Sequence, residues 1–180
     1  MSVSLNQTVF KATLPVMFGY IPLGMAFGVL FSELGYHWLF ACAMGVFIFA
    51  GAAQFLAVGL LANHAGLLEI FITIFLLNSR HIFYGISLLS SMKAKGWRRF
   101  YLIFGLTDET FSLLTSTQPP EGMDKTDYQL RVTLFNQGYW VLGCTLGGWL
   151  GTQISFSTAG IEFVLPALFM VLAIEQYRHL

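Results

Sequence analysis

Six predominantly apolar stretches alternate with short polar segments along the 180-residue chain. A helix needs about 20 apolar residues to cross a hydrocarbon layer of roughly 30 Å. Residues 12–31 meet that length without a charge, but Pro15, Gly19, Pro22, Gly24 and Gly28 punctuate them. Residues 38–62 form a second uncharged run, with Gly51-Ala52-Ala53-Gln54 in its second half. Residues 67–92 are interrupted by Asn78-Ser79-Arg80-His81, and residues 100–117 by Thr107-Asp108-Glu109-Thr110. A polar segment, 118–127, carries Pro119-Pro120 and three acids; residues 128–152 are the fifth run and 161–174 a short sixth. Open β-structure leaves backbone groups unpaired in lipid, so the pattern predicts helices or helix fragments. The expected fold is all-α: about six spans in a single transmembrane domain, 1–180, some broken or re-entrant near Pro/Gly and the polar motifs.

Composition supports this and removes other classes. Only 10% of residues are charged, against 56% apolar and 16% aromatic; a soluble domain carries about 25% charged residues. Eighteen phenylalanines exceed what a soluble core of this size hides. Disorder is excluded because disordered chains are poor in aromatics and rich in charge. With nine basic and nine acidic residues there is no basic face for nucleic acid. Cys42 and Cys144 stand alone in apolar runs and read as packing residues, with no metal site or cofactor expected. The polar, uncharged start and the long run after Lys11 do not fit a secretory signal.

Charge placement bears on orientation. Lys93, Lys95, Arg98 and Arg99 fall within seven residues, which puts loop 93–99 in the cytoplasm by the positive-inside rule. Three full crossings before that loop would leave the N-terminus outside, whereas Lys11 argues weakly for inside. One re-entrant early segment removes the conflict, and the Pro/Gly-rich first run is the natural suspect. An internal echo is also present. Gly19-Tyr20-Ile21-Pro22-Leu23-Gly24 followed by Gly28 returns as Gly138-Tyr139-Trp140-Val141-Leu142-Gly143 followed by Gly147. It reads either as a repeat (19–28 and 138–147) of the kind transporters contain, or as small-residue spacing for close helix packing.

Charges at bilayer depth cost at least about 2.5–3.5 kcal/mol each, so they mark a pathway or a pair. Arg80 precedes Lys93 by thirteen residues and Asp108 follows Arg99 by nine, or about 20 Å and 14 Å of helix. Both therefore reach comparable depth, where Arg80 can pair with Asp108 or Glu109. Fastening two helices would explain one acid but not two, nor the company of His81 and Asn78. Histidine is the side chain suited to proton transfer near neutral pH, though a neutral, hydrogen-bonded His81 is an equal reading. Asp108 and Glu109 point about 100° apart on a helix, which allows one to pair with Arg80 and the other to take up protons. Gln54 offers an amide to a substrate or to a neighbouring helix. Asn136 and Gln137 are weaker candidates, and Glu69 is interfacial. Hydrolase and nucleotide-binding signatures are absent from the sequence, and an enzyme is not expected.

The ordered set of Pro15 with Gly19, Phe49-Ala50-Gly51-Ala52-Ala53-Gln54-Phe55, Leu77-Asn78-Ser79-Arg80-His81 and Leu106-Thr107-Asp108-Glu109 resembles the AzlC family, from about Thr13 to Gln176. That family supplies the large membrane subunit of branched-chain amino-acid exporters. The resemblance implies export of valine, leucine, isoleucine and, as a further substrate, methionine across a bacterial inner membrane. It also implies a small multi-span partner of the AzlD type and use of the proton motive force. Gln54, Asn78, Arg80, His81, Asp108 and Glu109 occupy the motif positions. Their roles follow from chemistry: a zwitterionic amino acid needs a cation for its carboxylate and an anion or amide carbonyl for its ammonium. Gln54, Asn78, Arg80, Asp108 and Glu109 are thus the expected substrate contacts, and His81, Asp108 and Glu109 the expected proton-coupling groups. The alternatives are a non-transporting assembly or regulatory subunit, and a transporter or channel for another small solute. The family pattern leads one to expect apolar sequence beyond Arg178, where this chain stops, as a truncated form or a short member would.

Overall fold

Two 29-residue helices dominate the computed structural model, which describes residues 5–89, 92–119, 121–153 and isolated positions between 160 and 174. They are α1 (Leu5–Glu33) and α8 (Lys125–Gln153), each about 44 Å long. Pro15 and Pro22 lie inside α1 without ending it. The first run is therefore one continuous helix, and the expectation that it turns back is corrected. Proline removes a backbone donor and crowds the preceding turn. Here α1 continues through both prolines beside a partner that it touches from Asn6 to Ser32.

That partner is α8, and the seam between them is built from glycine. Ser32 packs on Gly151, and Gly28 meets the backbone of Gly147 and Gly148. A Cβ placed on Gly24 would lie 3.0 Å from Trp140 O, and one on Gly143 only 2.6 Å from Ile21 O. Contacts advance in the same direction on both helices, so they run parallel. Arg131 donates to Asn6 near their start. The two copies of the sequence echo face each other across this seam, with Gly24 and Gly28 opposite Gly143 and Gly147. Small residues at four-residue spacing let backbones approach, so dispersion contacts replace side-chain interdigitation.

The second run is the one that folds back. Trp38 and Ala41 of α2 (Trp38–Phe47) touch Gly148, Gly45 touches Val141, and Val46 O accepts from Gln137 Nε2 at 3.0 Å. α2 thus descends antiparallel to α8. After Ile48–Ala50 the chain reverses into α3 (Gly51–Ala62), whose Gly51 lies on Trp140 and whose far end returns beside Glu33 and Leu34. Helices of 10 and 12 residues are about 15 and 18 Å long, half of a hydrocarbon layer. Hence α2–α3 is a short hairpin whose open end lies opposite the basic loop.

A second hairpin enters from the basic end. In α6 (Gly96–Phe104), Arg98 pairs with Asp127 at 3.0 Å and Gly105, just beyond, packs on Thr133. In α7 (Asp108–Ser116), Thr110 accepts from Asn136 Nδ2, and the following Thr117 accepts from Tyr128 at 3.1 Å. α6 climbs and α7 returns. Between the hairpins, α4 (Leu67–Asn78) and α5 (Arg80–Leu89) form one nearly continuous path, 67–87 being apolar enough to span. Leu5–Glu33 and Leu67–Ser87 are the two helices among the described residues with the length and hydropathy of a span. Two helices of this length and hydropathy do not by themselves give the expected count of about six spans, and most of 161–174 lies outside the described residues. None of the residues of α4 is buried, and Leu67, Leu68, Phe71, Phe75 and Leu76 are all more than half exposed.

Candidate functional site

The tips of the two hairpins meet beside the middle of the α1–α8 seam. Each tip has a local reason to break its helix. At the first, Phe49 adopts φ +44, a conformation costing a bulky residue about 1–3 kcal/mol. Its ring is buried edge-on against Tyr20, at 6.4 Å between centroids. At the second, Gly105 closes α6 and Thr107 caps α7, its hydroxyl accepting from Thr110 N at 3.2 Å. Asp108 and Glu109 follow in the first turn of α7, where negative charge is favoured by the helix dipole. Ala50 caps α3 with no side-chain hydrogen bond, so the first-turn N–H groups of α3 have no side-chain cap.

A partly open cavity of about 50 Å³ lies between the tips, lined by residues including Tyr20, Phe49, Gly51, Arg80, His81, Asp108, Glu109 and Trp140. Arg80 Nη1 is 2.7 Å from Asp108 Oδ2, with about 30% of each side chain exposed. Arg80 Nε and Asp108 Oδ1 are buried and make no hydrogen bond among the described residues. The pair therefore retains a donor and an acceptor for a further group. Glu109 turns to a different partner, accepting from the Tyr20 hydroxyl at 2.7 Å. The ring of His81 is held by Nδ1, which donates to Asn78 O at 3.1 Å.

Arg80, His81, Asp108 and Glu109 are thus brought to one cavity, as their positions in the sequence lead one to expect. Gln54 and Asn78 do not line it. Gln54 is fully buried behind α3 and accepts from Trp140 Nε1 at 2.8 Å, an interhelical role. Asn136 is buried in a hydrogen bond to Thr110, and Gln137 bridges Tyr101 and Val46 O. Sequence reasoning missed Tyr20, Phe49 and Trp140. Tyr20 and Trp140 lie inside the two copies of the internal echo, whose glycines drew attention while its aromatics did not.

An apolar chamber of about 720 Å³ adjoins the polar cavity, sharing Ala52 and Phe55 with it. Leu30, Leu34, Leu56, Val58 and Leu77 line it further out.

Comparison with known proteins covers the motif positions. The family model described as AzlC protein matches residues 15–154. A branched-chain amino acid transport protein AzlC from Bacillus subtilis is 37% identical over 171 residues, covering 95% of this chain and 67% of the relative. An uncharacterized membrane protein of Helicobacter pylori is 41% identical over 169 residues, 94% of this chain and 74% of its own length. The inner membrane protein YgaZ of Escherichia coli is 29% identical over 175 residues, 93% of this chain and 71% of that one. No solved structure matches. Spanning 140 residues and every motif at the cavity, the family match and these relatives identify the chain as a membrane protein of the AzlC family.

Proposed function

We propose that this chain is the large subunit of a secondary transporter that exports branched-chain amino acids from the bacterial cytoplasm across the inner membrane. The observation that carries the reading is the cavity at the two hairpin tips. There an arginine and two carboxyls stand within reach of one small solute. Arg80 and the uncapped start of α3, at Gly51 and Ala52, suit a carboxylate. Asp108 Oδ1 and Glu109 suit an ammonium. The adjoining apolar chamber suits an aliphatic side chain, at a common wall of Ala52 and Phe55. The name of the Bacillus subtilis relative, a branched-chain amino acid transport protein, supports the substrate class.

The basic end faces the cytoplasm in this reading, and α1 then starts inside, as Lys11 favours. A cavity of about 50 Å³ holds only a few water molecules. Substrate enters and leaves when a hairpin tip withdraws: α6–α7 toward the cytoplasm, α2–α3 toward the outside. A small multi-span AzlD-type subunit is the expected partner, seated on the exposed apolar face of α4.

The test is efflux of labelled leucine and valine from preloaded vesicles holding the chain with its partner. Arg80→Ala should lower efflux by about 10- to 100-fold, the worth of a charge-assisted hydrogen bond or two. Equal efflux from Arg80→Ala and wild type, at equal protein levels, would remove the reading.

A further inference from the structure

The two carboxyls at the cavity differ in what their partners can do. Asp108 has the Tyr84 phenol beside it but is held by the Arg80 guanidinium at 2.7 Å, which has donors only and keeps its proton under all ordinary conditions. A proton arriving at Asp108 would break that charge pair. Glu109 faces a phenol, which both donates and accepts. With Glu109 ionised, Tyr20 donates to Oε2 at 2.7 Å. With Glu109 protonated, the acid donates to Tyr20 Oη, and the phenol turns its own proton to Thr107 Oγ1, 2.6 Å away. Thr107 in turn donates to Thr110 at 3.0 Å. The protonated state is then a head-to-tail chain from α7 through α1 and back to α7, ending on the Thr110 hydroxyl, which also accepts from Asn136. One proton is gained, on Glu109, and none leaves Tyr20. Tyr20 is 5% exposed, so no water need complete the arrangement.

We propose that Glu109 is the proton-exchanging carboxyl of this site and that Tyr20 is its positioning residue, accommodating both protonation states. The charged and titratable groups facing Glu109 are Tyr20 from α1, Arg80, His81 and Tyr84 from α5, and Asp108 beside it. With His81 neutral, these groups and Glu109 carry a net charge of −1 when Glu109 is ionised and zero when it is protonated. An ammonium is held in the first state and released in the second. Proton and substrate therefore compete for one carboxyl, which couples proton entry to amino-acid exit. This coupling rests on the transport reading above; the identity of the proton site does not.

Infrared difference spectra of the protein in lipid bilayers, recorded across a pH step, test the assignment. A protonated-carboxyl band should shift when the protein is made with carbon-13 glutamate and stay fixed with carbon-13 aspartate. It should disappear in Glu109→Gln, survive in Asp108→Asn and change frequency in Tyr20→Phe. A band that follows the aspartate label, or one unchanged in Glu109→Gln or in Tyr20→Phe, overturns the proposal. The isotope arm needs no variant to fold. Leucine efflux measured on the same bilayers separates the two readings. The expected band without efflux sinks the transport reading alone, and efflux with a band that survives Glu109→Gln sinks the proton-site assignment alone.

Discussion

At the scale of single residues, the polar groups near the cavity divide into those that face the space and those that hold the walls. Trp140 belongs to the second group. It carries the hydrogen bond to Gln54, packs at 5.4 Å from the Tyr20 ring and touches Gly51. Trp140→Phe keeps most of the ring but leaves Gln54 Oε1 buried without that donor. The expected cost is about 1–3 kcal/mol, visible as a lower Tm in detergent or lipid. An unchanged Tm would mean that the amide finds another partner. The Arg80–Asp108 pair invites a different measurement. If it only fastens helices, exchanging the two side chains should restore efflux that each single change abolishes. If it binds substrate, the exchanged protein stays inactive, which is the outcome expected here. Sequence counting brought these two charges to one depth because α5 and α6 make up most of the path between each of them and the basic loop. It could not show that Gln54 turns away from the cavity. An amide on a short helix can face either side, and the hairpin turn at Phe49 decides which.

Among the elements, the glycine seam and the hairpins have unequal demands. Gly143 lies 2.6 Å, measured from an ideal Cβ, from a backbone oxygen that cannot step aside, whereas Gly19 and Gly138 have nothing within 4 Å. Gly143→Ala should therefore force the helices apart and destabilise by about 1–3 kcal/mol. Gly19→Ala and Gly138→Ala should be neutral, or stabilising by up to about 1 kcal/mol through helix propensity. Thermal denaturation of the three single variants separates the cases, and equal effects would contradict the parallel seam. The glycine spacing was legible in the sequence, where it read as a packing face or as a duplication. The structure shows the two copies in contact. The hairpins were legible only as polar or Gly-rich interruptions. A run of 25 apolar residues reads the same whether it crosses or turns back, because reversal needs only a few residues of unusual backbone.

For the whole molecule, the fold makes a topological statement that can be checked from outside. Gly35 and Asn63 flank the first hairpin at one end, and Lys95 and Ser116 flank the second at the other. In a chain lacking Cys42 and Cys144, single cysteines at Gly35 and Asn63 should both react with an impermeant maleimide added to intact cells. Cysteines at Lys95 and Ser116 should react only after the membrane is opened. Labelling of Gly35 and Asn63 from opposite sides would mean that 38–62 crosses, and the hairpin description would fail.

The parallel seam also has a consequence for biosynthesis. Gly24 leaves the ribosome about 120 residues before its neighbour Gly143. At synthesis rates of about 5–20 residues per second, α1 waits some 6–24 s for the surface that completes it. Both hairpins emerge during that interval, before the scaffold that supports their tips exists. Assembly of the centre is therefore late and nearly simultaneous. A nascent chain halted before α8 would present its glycine face to any other helix in the bilayer, including another copy of α1.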